Sequence, residues 1–202
     1  MSERLLVASH NQGKVAEYAD LLDGLEIEWL SLDDVHITVE MPETGDTFLA
    51  NAAQKAAGYA LESGLLTLAD DSGLEVDALY GAPGVHTARY GGPGLDSRQR
   101  YELLLANMDG VHETERGARF RCAIVLAAPD GTILASSEGA VEGRIAETAR
   151  GEGGFGYDPV FYLPEFNCTM AELPPGKKHR ISHRGRALRA IKSDLAAILG
   201  RL

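Results

Sequence analysis

Apolar residues along this chain recur at changing intervals, and the changes mark off short strands from longer helices. Residues 4–8 form a compact apolar run that reads as a strand. Residues 14–22 place Val15, Tyr18, Ala19 and Leu22 at three- and four-residue spacing, which predicts an amphipathic helix. A second strand is expected over 27–32, then an acidic segment, 33–46, containing PETG, and a helix over 47–62. Residues 65–69 read as a short buried strand ended by a sharp Ser72-Gly73 turn, and 75–79 as another strand before the tight turn GAPG. Asp96 is placed to cap a helix over 98–107 that buries Tyr101, Leu104 and Leu105. Residues 119–128 and 132–137 flank Pro129-Asp130-Gly131 as a hairpin, and a last helix, 185–199, buries Leu188, Ile191, Leu195 and Ile198. Helices interspersed with strands and a hairpin predict an α/β fold with a mixed β-sheet.

At 202 residues and 45% hydrophobic content the chain can bury a sizeable core, so a single domain over 1–202 is expected, with room for a small lobe. The formal charge of -11 argues against a nucleic-acid polymer as partner, because such polymers are met by strongly positive surfaces. A small anion remains compatible if a metal and a few local cations offset its charge. Cys122 and Cys168 stand far apart with no CxxC spacing, which argues against a disulfide framework or a zinc site. The first apolar run is too short for a signal peptide and nothing later reaches membrane-spanning length, so a soluble, cytoplasmic protein with no membrane partner is expected.

Five segments carry candidate chemistry. Adjacent acids Asp70 and Asp71 end an apolar run, and carboxylates there suit Mg²⁺, which takes one or two of them and leaves its other positions to water and phosphates; the same residues also fit a solvated turn. The loop SHNQGK, Ser9 to Lys14, lies between a strand and a helix start, where free N–H groups and the helix dipole favour an anion, although Asn11 alone would explain it as a cap. On the 47–62 helix, Asn51 and Lys55 share a face with Phe48, Ala52 and Tyr59, either as functional groups or with Lys55 snorkelling. Residues 151–159, GEGGFGYDP, can bring backbone close to a ligand and set Phe155 against a flat ring. Residues 177–186, KKHRISHRGR, place seven basic or histidine side chains in ten positions, a local reversal of sign suited to a triphosphate or a solvated basic loop.

Taken in order, SHNQGK, ETGDTFLANAAQKA, ADDSGLEVDALYGAPGVHTARY, GGFGYDPVF and SHRGRAL resemble the house-cleaning nucleoside triphosphate pyrophosphatase family, the inosine and xanthosine triphosphate pyrophosphatases. The resemblance runs from residue 9 to about residue 188. It implies an elongated mixed β-sheet flanked by helices, two lobes around a central nucleotide cleft, and usually a homodimer. The implied activity is Mg²⁺-dependent hydrolysis of non-canonical purine nucleoside triphosphates (ITP, dITP, XTP) to the monophosphate and pyrophosphate. By motif position Asp71 is the general base and a metal ligand, with Asp70 beside it and Glu43 as the metal glutamate. Ser9, His10, Asn11, Gln12, Gly13, Lys14 and Ser72 would meet phosphates and sugar. Phe155, Gly156, Tyr157, Asp158, Lys178, His183 and Arg184 would complete the nucleotide pocket. The chain departs from many relatives at Ser9, at Thr87, and at Pro42, which leaves Glu43 as the only acid of its dipeptide.

That activity has a physical logic. A metal and a neighbouring carboxylate ease deprotonation of the attacking water, and cations offset charge gathering on the departing pyrophosphate. A fixed N–H donor at the 6-keto position, from His183 or Arg184, would reject adenine, since an unpaired buried polar group costs about 1–3 kcal/mol. GGFGYDP and SHRG argue against the related septum-formation inhibitor type of pyrophosphatase. A triphosphate sensor that binds without cleaving would leave Asp70, Asp71 and Glu43 superfluous.

Overall fold

The structure is a computed structural model that describes residues 3–200, so the ends of the expected domain, residues 1–2 and 201–202, lie outside the described residues. Seven strands, β1 (Glu3–Val7), β2 (Ile27–Leu30), β3 (Leu66–Val76), β4 (Gly117–Ala127), β5 (Ile133–Ile145), β6 (Phe161–Leu163) and β7 (Cys168–Thr169), form one sheet in the order β2-β1-β3-β4-β5-β6-β7. Pairing is parallel across β2-β1-β3 and antiparallel across β5-β6-β7. Between the strands run α1 (Gln12–Leu21), α2 (Phe48–Ser63) and α3 (Ser97–Asn107), and α4 (Pro175–Ile181) and α5 (His183–Leu199) follow β7, so the chain adopts the expected mixed α/β architecture. None of the described helices is long and apolar enough to cross a membrane.

Contacts divide the chain into two compact units. The first holds the residues up to Asp71, Cys122–Gly139, and the chain from Arg184 onward. Its core joins Leu5 and Val7 of β1 and Leu66 and Leu68 of β3 to Val15 and Tyr18 of α1 and Leu188, Ile191 and Leu195 of α5. Each fully buried leucine there contributes about 1.5–3 kcal/mol. Leu6 points to the other face, into a cluster with Leu32, Ile37 and Tyr59, so β1 is covered on both sides as parallel strands generally are. The second unit, Ser72–Arg121 and Ala140–His183, packs Leu74 and Val76 with Leu104, Met108, Phe120, Val160 and Phe161.

Caps fix the helix starts. Asn11 accepts from the Lys14 N–H and Thr47 from the Ala50 N–H, while Asp96 and Gln99 form a reciprocal capping box. The start signals at Asn11 and Asp96 are legible in the sequence.

Three local readings change. The expected strand at 65–69, the Ser72-Gly73 turn and the strand at 75–79 merge into β3, eleven residues long, with Asp77–Leu79 as a 3₁₀ turn at its end. Asp-Ser-Gly is turn chemistry where the chain is free to leave the sheet; here it continues β3, which pairs with β1 over Leu66–Leu68 and neighbours β4 in the sheet. The basic segment 177–186 is helical, with α4 and α5 broken at Ser182, and its residues Lys178, His179 and Arg180 occupy the last turn of α4. The hairpin strands are longer than 119–128 and 132–137, and β6 and β7 are too short to show any period.

Candidate active site

Adjacent residues of a strand project to opposite faces, and this separates the two aspartates. Asp70, 4% exposed, takes a Lys14 Nζ contact on Oδ1, and Arg184 Nε lies 3.8 Å from Oδ2. Burial alone would raise its pKa, but Lys14, then Arg184 and Lys55, outweigh that and hold the carboxyl well below the usual range. Arg184 Nη1 also donates to Glu17 at 2.9 Å, which completes a buried cluster of alternating charge between α1, β3 and α5. Tyr18 is fully buried beside it; burial first, then the Asp70 charge, push its hydroxyl well above the ordinary value.

Asp71 meets different partners. Asn51 Nδ2 donates to its Oδ2 at 3.0 Å, and Lys55 Nζ lies 3.6 Å from Oδ1. The same ammonium donates to Glu43 Oε1 at 2.7 Å. Burial raises the Asp71 pKa; Lys55 and the Asn51 hydrogen bond oppose it, and the Glu43 and Asp70 charges add to it. The loop carrying Glu43 is tied to α2 twice, since Gln54 Oε1 accepts from the Thr44 N–H at 3.1 Å and Asn51 Oδ1 from the Gly45 N–H at 2.8 Å. A Cβ at Gly45 would stand 2.7 Å from the Ala50 Cβ and 2.9 Å from Asn51 Oδ1, so only glycine lets the loop lie this close.

Two hard carboxylate oxygens that already converge on one cation are a donor set suited to Mg²⁺, with its remaining positions left to water and phosphate. Among the described residues no group of three or more His, Cys, Asp or Glu side chains gathers into a fuller cage. Asp70, the third expected ligand, faces away from this pair and is engaged by Lys14 and Arg184.

The SHNQGK loop forms the start of α1. Ser9 Oγ accepts from the Asn11 N–H at 3.1 Å, Gln12 Nε2 donates to Ser31 Oγ at 2.7 Å, and His10 Nδ1 lies 2.6 Å from Asp33 Oδ1. The first-turn N–H groups of Gln12 and Gly13, which no intrahelical carbonyl can serve, mark the positive end of the helix. Lys14 extends from this turn to Asp70.

A second constellation lies within the other unit. Asp158 Oδ2 accepts from Lys178 Nζ at 2.6 Å and from the Phe155 N–H at 2.7 Å, and the Lys178 ammonium sits 4.7 Å from the centroid of Phe155, whose ring is 63% exposed. Gly154 has φ +80° and borders Asp158 and Lys178 so closely that a Cβ would meet both. Tyr157 is buried, which pushes its hydroxyl up to about 12, and it donates to the Thr87 carbonyl at 3.0 Å. Thr87 Oγ1 in turn donates to the Gly84 carbonyl at 2.6 Å and accepts from the Leu74 N–H at 2.9 Å, so its hydroxyl locks the Gly84–Arg89 3₁₀ turn to β3, which also carries Ser72. The His183 ring stacks on Phe120 at 4.9 Å.

The basic segment therefore does not act as one patch. Lys178 belongs with Asp158 and Phe155, Arg184 with Glu17 and Asp70, and His183 with Phe120. Asn51 and Lys55 carry a signal in the sequence, as two polar groups four residues apart on an apolar helix face, but Glu17 and Tyr18 carry none and look like ordinary α1 positions until α5 is placed.

The sequence profile of the Ham1 family matches residues 5–194. A dITP/XTP pyrophosphatase of Vibrio parahaemolyticus is 48% identical over 197 residues, 96% of this chain and 98% of its own length. One of Methylococcus capsulatus is 48% identical over 203 residues, 99% of this chain and 100% of its own. Among solved structures, a HAM1 protein from Coxiella burnetii superposes with a TM-score of 0.90 at 39% identity, covering 96% of this chain and 99% of that one. The similarity spans both units and nearly every residue of each protein compared, and on that ground the chain belongs to the Ham1 family.

Proposed function

We propose that this protein hydrolyses non-canonical purine nucleoside triphosphates, ITP, dITP and XTP, to the nucleoside monophosphate and pyrophosphate, and so removes them from the nucleotide pool. The reading rests on one observation above the rest: Asp71, a partly buried carboxylate with its pKa raised, is oriented by Asn51 and shares Lys55 with Glu43. A raised pKa brings a carboxylate closer to the proton affinity a general base needs near neutral pH.

Asp71 takes a proton from water as its oxygen attacks the α-phosphorus. The bond to the α,β-bridging oxygen breaks and pyrophosphate leaves with that electron pair. Lys55 and Lys14, with the N-terminal turn of α1, supply positive charge for the phosphates. Glu43 and Asp71 would hold Mg²⁺, which supplies Lewis-acid polarisation of phosphate oxygens and lowers the pKa of bound water. Asp70 fixes Lys14 and Arg184 in place and makes no bond to the metal in this reading.

The family pattern gives Ser72, Phe155, Gly156, Tyr157, Asp158, Lys178, His183 and Arg184 to the nucleotide. An exposed Phe155 face beside an ammonium suits a planar purine. The family also supports a homodimer, which sedimentation velocity would read directly. A charge of -11 fits a small-molecule substrate better than a nucleic-acid polymer.

The deciding experiment follows pyrophosphate release from ITP, dITP, XTP, ATP, GTP and UTP, with and without Mg²⁺, for the wild type and Asp71→Asn. Release from the first three, dependent on Mg²⁺ and lost in the variant, is the expected result. Tight nucleotide binding without release from any of them would replace the enzyme by a sensor.

A further inference from the structure

We propose that the second unit carries a phosphate-binding site in the cavity lined by Arg116, Arg144, Thr148 and Arg150 beside Tyr162, a site built from none of the residues assigned above to hydrolysis. The cavity is about 300 Å³, at the lower end of the range for small-molecule sites.

Arg116 carries the argument. It is 5% exposed, and its guanidinium donates to the carbonyls of Ile145 (2.8 Å), Met108 (3.0 Å), Ala146 (3.1 Å) and Val111 (3.3 Å). Those four bonds leave one of the five guanidinium N–H groups, on Nη2, uncommitted to protein. Among the described residues no carboxylate lies within 4 Å of it, although most buried charges are paired. Carbonyl dipoles orient the cation without cancelling its charge. An anion in the adjoining cavity would.

Two further guanidiniums converge on that cavity. The Arg144 and Arg150 groups lie 4.5 and 5.4 Å from the centroid of the single Tyr162 ring, and Tyr162 is itself anchored by a 2.5 Å hydrogen bond to Asn167. A guanidinium stacked on an aromatic face keeps its N–H fork in the plane of the group, free for an oxyanion. Arg144 is paired with Glu113, and Arg150 approaches Glu172 at 3.7 Å. Three arginines line the cavity with Glu113 and Glu147, and Glu172 lies against Arg150 from outside the lining. The Thr148 hydroxyl adds a neutral donor at the rim. Planar, forked donors around a small polar cavity recognise a tetrahedral oxyanion, and bidentate arginine contacts are the strong ones for phosphate.

Phosphate can arrive free or attached to a nucleotide, and binding measurements distinguish the two. Orthophosphate, pyrophosphate and inosine monophosphate would be titrated calorimetrically into the full chain without Mg²⁺, then into Arg144→Gln/Arg150→Gln and into Thr148→Glu, which places a carboxylate in the cavity and keeps every arginine. The expected result is a binding event weakened about tenfold or more in both variants, with nucleotide hydrolysis kept within about twofold. A loss seen with orthophosphate or pyrophosphate assigns a free ion; a loss confined to inosine monophosphate assigns a nucleotide phosphate. If the double variant fails to fold, Thr148→Glu decides alone. Binding unchanged in the variants, or no binding of any probe to the wild type, would overturn the site whether or not the chain hydrolyses nucleotides.

Discussion

Asp70 and Asp71 are adjacent on β3, project to opposite faces, and are driven in opposite directions by their surroundings. Lys14 and Arg184 hold Asp70 ionised, whereas burial works against the charge on Asp71. Paired carboxylates whose environments push their pKa values apart suit different roles: Asp70 organises cations, and Asp71 is the one the proposed mechanism uses to exchange a proton.

Replacing Asp71 by asparagine keeps the shape and the Asn51 neighbour but removes the proposed base. Turnover of ITP should fall by at least about 10²-fold, the low end for a general base. Stability should not fall with it, since the wild-type charge sits in a site that disfavours it. Parallel kinetics and urea melts check both halves; near wild-type turnover would remove Asp71 from the mechanism.

Asp70→Asn should do the reverse to stability. It strands Lys14 and Arg184 in a buried setting, at a cost of about 3–5 kcal/mol by analogy with broken buried pairs. The pH sign follows from the depressed pKa: the contribution is complete above the unfolded aspartate value of about 3.9 and is lost as pH falls through the lower folded value. Urea midpoints measured from neutral to acid pH should therefore converge for wild type and variant at the acid end. A constant gap across that range would assign the loss to packing instead.

How much of this the sequence disclosed depends on the range of the interaction. Caps at Asn11 and Asp96 and the periodic faces of α1 and α5 are local, and they read correctly. The Asp-Asp-Ser-Gly segment reads as a turn because its composition is turn-like, while in the structure it continues β3, inside a sheet whose other strands lie far away in sequence. That one change separates Asp70 from Asp71, since a strand alternates faces and a turn does not. The basic run at 177–186 looked like one cluster for the same reason; its members diverge only once Glu17, Phe120 and Asp158 are folded against them.

Lys55 lowers the Asp71 pKa that burial raises. In the metal-free protein the Asp71 carboxyl should therefore titrate above the ordinary aspartate value of about 3.9. Lys55→Met removes the opposing charge and should move that titration further toward neutral pH, as followed by carboxyl-carbon NMR. A titration that stayed in place or moved to lower pH would mean that other groups control it.

If Glu43 and Asp71 share the metal, Glu43→Gln should raise the Mg²⁺ concentration for half-maximal activity by about tenfold or more, and excess chelator should stop the wild type. Thr44 and Gly45 stay tied to α2 in that variant, so the loop keeps its place. A Mg²⁺ titration that superposes on the wild type would leave Glu43 as nothing more than the partner of Lys55.

Gly154 and Gly156 offer a matched pair of alanine substitutions. Both have positive φ, +80° and +61°, so each alanine carries a similar backbone penalty of about 1–2 kcal/mol. They differ in what a Cβ meets: at Gly156 nothing lies within 4 Å, whereas at Gly154 it would collide with Asp158 and stand 2.6 Å from Lys178 Nζ. Gly154→Ala must therefore displace the ion pair that holds the ammonium against Phe155 and the Phe155 N–H against Asp158. Its KM for ITP should rise about tenfold over that of Gly156→Ala, the equivalent of one lost charge-assisted contact, with a smaller change in kcat. Equal effects from the two would mean that backbone strain alone matters there and that the Lys178–Asp158 pair does not hold the nucleotide.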